Sequence, residues 1–376
     1  MSSIINGAGL NSFRSQFTAG TTYALAEIID NSIQWKRPDV DCEINIIMIE
    51  HRRGSAWRLH EILITDNGVG MARDTVESCL NFGGGKNHGT EEKGKLGKFG
   101  LGLPYASCSQ SPNYHVYTWE NRKAIFSTFR DHKKFAPTDP VEPEPVTQLP
   151  DLPEFFYTLL PGLKSYSSGT IVRWIDCDSL DVSHSKTLIN HINLNLGRIY
   201  RHFIGKGVKI NFLVYRATAS ERFEKETELC KPIGIFDPLF MMPNSILPGE
   251  FGKEATNVPW GGESGTGEKE LRFEETIEGG TRTHIFTLRF SIAKPEIQGP
   301  DGKSGGGIEP GKTFYKKAIG ISLVRAHREL KLGPFGFPFP NGNSDPRHRW
   351  WSIEVQFEPI SDALLGVNAN KLDARN

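Results

Sequence analysis

Between Thr21 and Trp35 the apolar residues Ala24, Leu25, Ile28, Ile29 and Ile33 recur at helical spacing, with Glu27 and Asn31 on a different stripe. The pattern predicts an amphipathic helix. Two apolar runs follow, CEINIIMIE at 42–50 and EILITD at 61–66, and both read as buried strands. The second breaks into the glycine turn DNGVGM. A short helical stretch then leads to a glycine- and lysine-rich loop from Asn81 to Gly102. Residues 114–119 and 123–129 read as paired strands, and GTIVRWID at 169–176 as the strand that closes a first domain. The intervening TDPVEPEPVTQLPDLP is rich in proline and acid, which predicts an exposed excursion over about 137–154.

The texture changes after Asp178. Residues 187–204 are expected to be helical and GVKINFLVY at 207–215 to be a strand, with further strands at 283–293 and 319–325. Soft loops are expected at about 249–280 and 298–312. WWSIEVQFE at 350–358 alternates, with Trp351, Ile353, Val355 and Phe357 on one face and Ser352, Glu354 and Gln356 on the other. That predicts a half-buried antiparallel strand with Trp351 in the core. The whole reads as α+β, divided into residues 1–180 and 181–376.

Composition narrows the possibilities. A chain of 376 residues is long enough for two cores. Lys+Arg and Asp+Glu number 44 each, so the overall charge lacks the footprint of a dedicated nucleic-acid binder, although a local basic face is compatible with it. The five cysteines are scattered and show no CxxC spacing, so neither a zinc site nor a disulfide framework is expected, and a reducing cytoplasm fits best. The 11 histidines show no HxxxH or HExxH spacing that would suggest a metal site. No apolar run is long enough for a bilayer and the amino terminus lacks a signal-peptide core, so a soluble, cytoplasmic protein with no membrane partner is expected.

Three elements carry candidate chemistry. Glu27 and Asn31, four apart on a helix, point the same way, so an amide oxygen suited to Mg²⁺ sits beside a carboxylate able to deprotonate a water. Solvated polar residues on an ordinary amphipathic helix would give the same pattern. Asp66, at a strand's end and followed by Gly68 and Gly70, is placed to accept a hydrogen bond from an adenine amino group, with Met71 against the ring. A plain Asp/Asn-Gly turn is the alternative. In Gly97-Lys98-Phe99-Gly100-Leu101-Gly102, a glycine loop opens onto a helix and offers bare N–H groups and a positive dipole end to an anion, while Lys86, Lys93 and Lys95 add charge. A decoy lies further on. Residues 306–313, GGIEPGKT, match GxxxxGK[ST], yet a loop rather than a strand precedes them, so an exposed loop is the better reading.

Taken in order, Glu27-x-x-Asp30-Asn31, Asp66-x-Gly68-x-Gly70, Gly97-x-x-Gly100-x-Gly102 and Gly169-Thr170 resemble the four signature motifs of the GHKL superfamily: gyrase-type topoisomerases, ninety-kilodalton heat-shock chaperones, histidine kinases and MutL, with the MORC ATPases as relatives. The resemblance covers residues 1 to about 180. It implies a Bergerat-type α/β sandwich that binds ATP and Mg²⁺. Glu27 would be the general base, Asn31 the Mg²⁺ ligand, and Asp66 the adenine-reading carboxylate, supported by Thr170 through water. Gly68, Gly70 and Met71 would shape the base pocket, and Asp30 would brace the helix. Lys95, Gly97, Lys98, Phe99, Gly100, Leu101 and Gly102 would form a lid over the phosphates, within a loop of about 81–103. The second half resembles, more weakly, a transducer domain with a ribosomal-protein-like β-α-β fold, in which Lys371 would contact the γ-phosphate; an exposed lysine in a polar tail would look the same.

Only 22 residues precede Tyr23, which leaves no room for the phosphoacceptor helices of a histidine kinase, and the long later domains of the heat-shock chaperones are missing. The layout is nearest to MORC-like and stand-alone prokaryotic ATPases with a transducer. That resemblance implies slow ATP hydrolysis coupled to an ATP-dependent homodimeric clamp acting on DNA or on a separate effector protein, with anti-phage defence as a role. The other expectation kept open is an ATP-sensing module in which hydrolysis is incidental.

Overall fold

A computed structural model describes residues 6–16, 20–81, 96, 102–141, 145–219, 222–247, 249–298, 314–335 and 346–367. Lys95, Gly97 to Leu101 and Lys371 therefore lie outside the described residues, as do the GGIEPGKT segment and most of the loops expected at 81–103 and 298–312. Contacts divide the described chain into two compact units. The first takes residues up to Asn81, then Gly102–Asn193 and Gly207–Ile233; the second takes Leu96, Leu194–Lys206 and Gly234 onward. This division differs from a single cut at 180, and the reason is strand pairing.

In the first unit the helices are α1 (Gly7–Gln16), α2 (Thr21–Gln34), α3 (Arg73–Cys79), α4 (Gly102–Gln110), α5 (Glu154–Leu159) and the first part of α6 (Ser185–Ile199). Its strands are β1 (Glu43–Arg53), β2 (Ala56–Asp66), β3 (Asn113–Glu120), β4 (Ala124–Asp131), β5 (Thr147–Leu149), β6 (Gly169–Ile175), β7 (Lys209–Ala219), β8 (Arg222–Lys225) and β9 (Lys231–Pro232). They form one sheet in the order β5-β4-β3-β6-β2-β1-β7-β8, with β9 also on β7. β7 pairs parallel with β1, and every other pair is antiparallel. Burying Ile210, Phe212 and Val214 of β7 against β1 is what draws this late strand into the first unit.

Alternate residues of the central strands serve opposite faces. Ile47, Ile49, Leu63 and Ile171 pack with Leu152, Phe156, Leu159 and Leu163, so α5 covers one face. Asp66 and Trp174 point to the other, where Ser32 of α2 bonds Asp66 and Ser107 of α4 accepts from the Trp174 indole at 3.0 Å. The proline-rich excursion is mostly exposed, as expected, but it is not all loop. β5 extends the sheet edge by pairing with β4, Leu152 is buried, and the carbonyls of Pro137 and Asp139 accept from the first N–H groups of α1.

The second unit adds the end of α6, α7 (Arg201–Gly205) and α8 (Pro295–Gln298) to strands β10 (Asn257–Pro259), β11 (Glu268–Ile277), β12 (Gly280–Ala293), β13 (Ile321–Arg325), β14 (Arg328–Gly333) and β15 (Trp351–Phe357). Their order is β10-β12-β15-β13-β14, with β11 also on β12, and β15 runs parallel to β13. β11 forms within a stretch expected to be soft; its ten-residue register with β12 supplies the order. β15 departs from the predicted burial. It is central, and its polar face is covered: Ser352 and Glu354 are buried while Trp351 is only partly so. Trp350 instead joins Phe236, Phe240 and Tyr315 in the core. Glu354 tolerates burial because Arg201, itself fully buried, donates to it at 2.6 Å. Among the described residues no helix is long and apolar enough to cross a membrane.

Candidate functional site

Helix α2 is buried nearly all round. Thr21, Thr22, Ala24, Leu25, Ala26, Ile28, Ile29, Asp30, Ser32 and Ile33 are buried, which leaves Tyr23, Glu27, Asn31 and Gln34 as the less covered stripe. Glu27 and Asn31 therefore do not sit on an ordinary solvent face. They occupy the one accessible line on a core helix. The first residue of α4 abuts that line: a Cβ added to Gly102 would lie 2.6 Å from Glu27 Oε2. A side chain there would have to push the Glu27 carboxylate aside, so the amino end of this nine-residue helix lies directly against it. A carboxylate able to take a proton thus meets the amino end of α4, one helical turn from the amide of Asn31.

Asp66 ends β2. Its Oδ1 accepts from the Gly68 N–H and its Oδ2 from the Ser32 hydroxyl, both at 2.9 Å, and its backbone register partner is Thr170. Burial pushes the Asp66 carboxyl above its ordinary value, opposed by the donors from Gly68, Ser32 and the Thr170 backbone. Every one of these partners is neutral. The DNGVGM turn is fixed from several sides. Asn67 Oδ1 accepts from the Glu43 N–H at 2.9 Å and its Nδ2 donates to the Asp41 carbonyl at 2.8 Å. Val69 N–H donates to the Trp35 carbonyl at 3.0 Å, and Ser168 donates to the Gly68 carbonyl at 2.7 Å. Gly70 has φ +77°, and a Cβ there would collide with the Trp119 carbonyl, so only glycine fits.

The hydroxyl of Thr118 on β3 closes this cluster. It accepts from the Met71 N–H at 2.9 Å, donates to the Gly169 carbonyl at 3.0 Å and lies 3.2 Å from the Thr170 hydroxyl. The structure thus brings Asp66, Gly68, Met71 and Thr170 together, and separately Glu27 and Gly102, with Asn31 on the stripe between Glu27 and the Ser32 contact to Asp66. Sequence reasoning missed three contributors. Ser32 follows Asn31 directly and could have been flagged by that place. Thr118 and Ser168 carry no local signal, because their roles come from the β3–β6 register and from a loop contact 100 residues from Gly68.

The first unit is thus an α+β helix-on-sheet layer with a buried carboxylate at a strand end and a half-buried Glu/Asn stripe on the covering helix. Residues 20–150 match the family described as histidine kinase-, DNA gyrase B-, and HSP90-like ATPase, which makes this segment a GHKL-type ATPase domain. No curated protein matches the chain.

Proposed function

We propose that the first unit binds ATP with Mg²⁺ and hydrolyses it slowly, and that ATP promotes pairing of two copies of the chain into a clamp. The observation that carries the proposal is the pairing of Glu27 with the amino end of α4, on the same α2 stripe as Asn31. In this reading Asp66 accepts the adenine amino proton, and Thr170 and the Met71–Thr118 bond hold the edge of the base pocket. Gly70 lets the backbone approach the ring. The amino end of α4 receives phosphate oxygens. Asn31 is the ligand that would hold Mg²⁺, whose chemistry is to neutralise phosphate charge during transfer. Glu27 orients a water and takes its proton as the water attacks the terminal phosphorus, and the bond to the bridging oxygen breaks to leave ADP and phosphate. The clamp would act on DNA or on a separate effector protein, with anti-phage defence as the role that the MORC-like resemblance suggests.

Steady-state phosphate release tests the enzymatic part. Glu27→Ala should slow release by about 10²-fold or more while ATP binding persists. Equal rates for wild type and variant would sink hydrolysis at this site and leave an ATP-sensing module. Lys312→Ala, in the GGIEPGKT segment, should bind ATP like wild type. Sizing Glu27→Ala with and without ATP reads the clamp, and a monomer in both conditions would refute it.

A further inference from the structure

A second cluster of ligating side chains lies on β1 and β2, well away from the strand end that carries Asp66. Glu61 precedes Asp66 by five residues of extended strand, roughly 17 Å. The β1–β2 register pairs Ile49 with Glu61 and Glu50 with Leu59, so His60 is left over as the extra residue of a β-bulge. In a regular strand, His60 and Glu61 would point to opposite faces. A bulge breaks that alternation and re-aims one of them. As a result His51 of β1, His60 and Glu61 each place one ligating atom within 4.8 Å of the other two.

The details are those of ligands held ready. His60 Nε2 lies 3.0 Å from Asp176 Oδ1, and Asp176 is itself fixed by Lys133 at 3.1 Å. A carboxylate at Nε2 holds the ring proton there and leaves Nδ1 with its lone pair. That Nδ1 is buried and has no hydrogen-bond partner among the described residues. Glu61 gives Oε2 to Arg173, at 2.7 Å from Nε and 2.6 Å from a terminal nitrogen, which fixes the carboxylate and leaves Oε1 on the His51 side. His51 Nε2 is 3.6 Å from that Oε1, beyond hydrogen-bond reach yet close to the separation of two ligands on one tetrahedral cation. The two imidazoles are stacked, with centroids 4.3 Å apart and planes 16° apart, so a shared cation requires one ring to turn. His51, with 37% of its side chain exposed, is the ring with room to do so.

We propose that His51, His60 and Glu61 form a site for a divalent cation of the zinc class, with Asp176 orienting His60 from behind. Two imidazoles and one carboxylate suit zinc, cobalt or nickel and not Mg²⁺, which takes oxygen ligands. The site goes beyond the proposed ATPase activity and does not depend on it.

The test uses the full chain, stripped with a chelator, at neutral pH and without nucleotide. Co²⁺ should bind at one equivalent with visible absorption, and Zn²⁺ but not excess Mg²⁺ should displace it. Calorimetric titration with Zn²⁺ should show affinity falling at least about 10-fold in His51→Ala and about 10- to 100-fold in Asp176→Asn, while Asn31→Ala binds like wild type. Circular dichroism confirms that each variant is folded, and the partly exposed His51→Gln substitutes if His51→Ala is not. Absence of saturable Zn²⁺ binding would overturn the proposal and leave a stacked histidine pair beside an ordinary Glu61–Arg173 ion pair. Binding lost in Asn31→Ala but kept in His51→Ala would overturn it equally.

Discussion

Two buried carboxylates, Asp66 in the first unit and Glu354 in the second, are treated in opposite ways by their surroundings. Asp66 is surrounded by neutral donors, the Ser32 hydroxyl and the Gly68 and Thr170 backbone, and burial pushes its carboxyl up. Burial would push Glu354 up too, but Arg201 and His202 overcome that and hold it well below the usual carboxylate range. Arg201 also bonds Glu329 at 2.7 Å and Ser322 at 2.7 Å, and Arg289 reaches the other oxygen of Glu354 at 2.8 Å. Burial lowers the Arg201 guanidinium, yet Glu329 and Glu354 more than offset it and hold the group above its ordinary value. The second arrangement is electrostatically complete and is read as structure. The first leaves a carboxylate with no cationic partner among the described residues, which a fold retains at a cost unless a ligand makes use of it.

The contrast is broken most directly by deleting the pairing in the second unit. Arg201→Ala removes the buried cation shared by Glu329 and Glu354, leaving Arg198 on the one and Arg289 and His202 on the other, and urea unfolding should show a loss of about 3 kcal/mol. A loss under about 1 kcal/mol would mean that the network is not the anchor described here. Asp66→Asn should behave inversely. Removing a charge that burial already disfavours should leave stability within about 1 kcal/mol of wild type, while ATP affinity falls by roughly 10²-fold, about 3 kcal/mol, with the loss of a charge-assisted hydrogen bond to the base. If Asp66→Asn unfolds the protein, Asp66 belongs with Glu354 as a structural group.

Acid separates the two carboxylates in the same sense. The folded value of Asp66 lies above its ordinary 3.8, so ATP binding that needs the carboxylate weakens as pH falls through that raised value. Glu354 is depressed, so its contribution to stability is fully present above its ordinary 4.5 and is lost progressively as pH falls from there through the lower folded value. Titrating ATP affinity and urea stability in parallel should therefore show affinity falling before the Glu354 contribution does. Loss of both over one window would remove the distinction.

How far these features could be read from the chain depended on whether they were local. The α2 pattern, the strand ending in Asp66 and the paired β3 and β4 were legible, because periodicity and a glycine turn are written in adjacent residues. The capture of β7 by β1 was not, since a parallel pairing across more than 150 residues leaves no mark in either strand alone. The polar face of β15 misled for a related reason. Alternation implies a solvent side only if nothing covers it, and the cover is an arginine on α7 whose charge match to Glu354 becomes visible only once the strands are ordered. The site divided along the same line. Spacing picks out Glu27, Asn31 and Asp66 as candidates, whereas no pattern marks Thr118.

Thr118 therefore gives the smallest test and the finest one. Its hydroxyl takes the Met71 N–H, gives to Gly169 and touches Thr170, so it ties the turn after Asp66 to the two strands beside it. Thr118→Val keeps the shape and deletes those bonds. The half-buried Met71 N–H then lacks this acceptor, which should cost about 1 kcal/mol in urea unfolding. If the cluster is organised around a base, ATP affinity should also fall by about 3- to 10-fold, because the turn carrying Gly68, Gly70 and Met71 is no longer pinned where Asp66 needs it. If Thr118 is only a strut, the stability loss should appear and the affinity of the folded protein should not change. The second outcome would move Thr118 to the structural side of the comparison, beside Ser322, and leave Asp66 to hold the base without it.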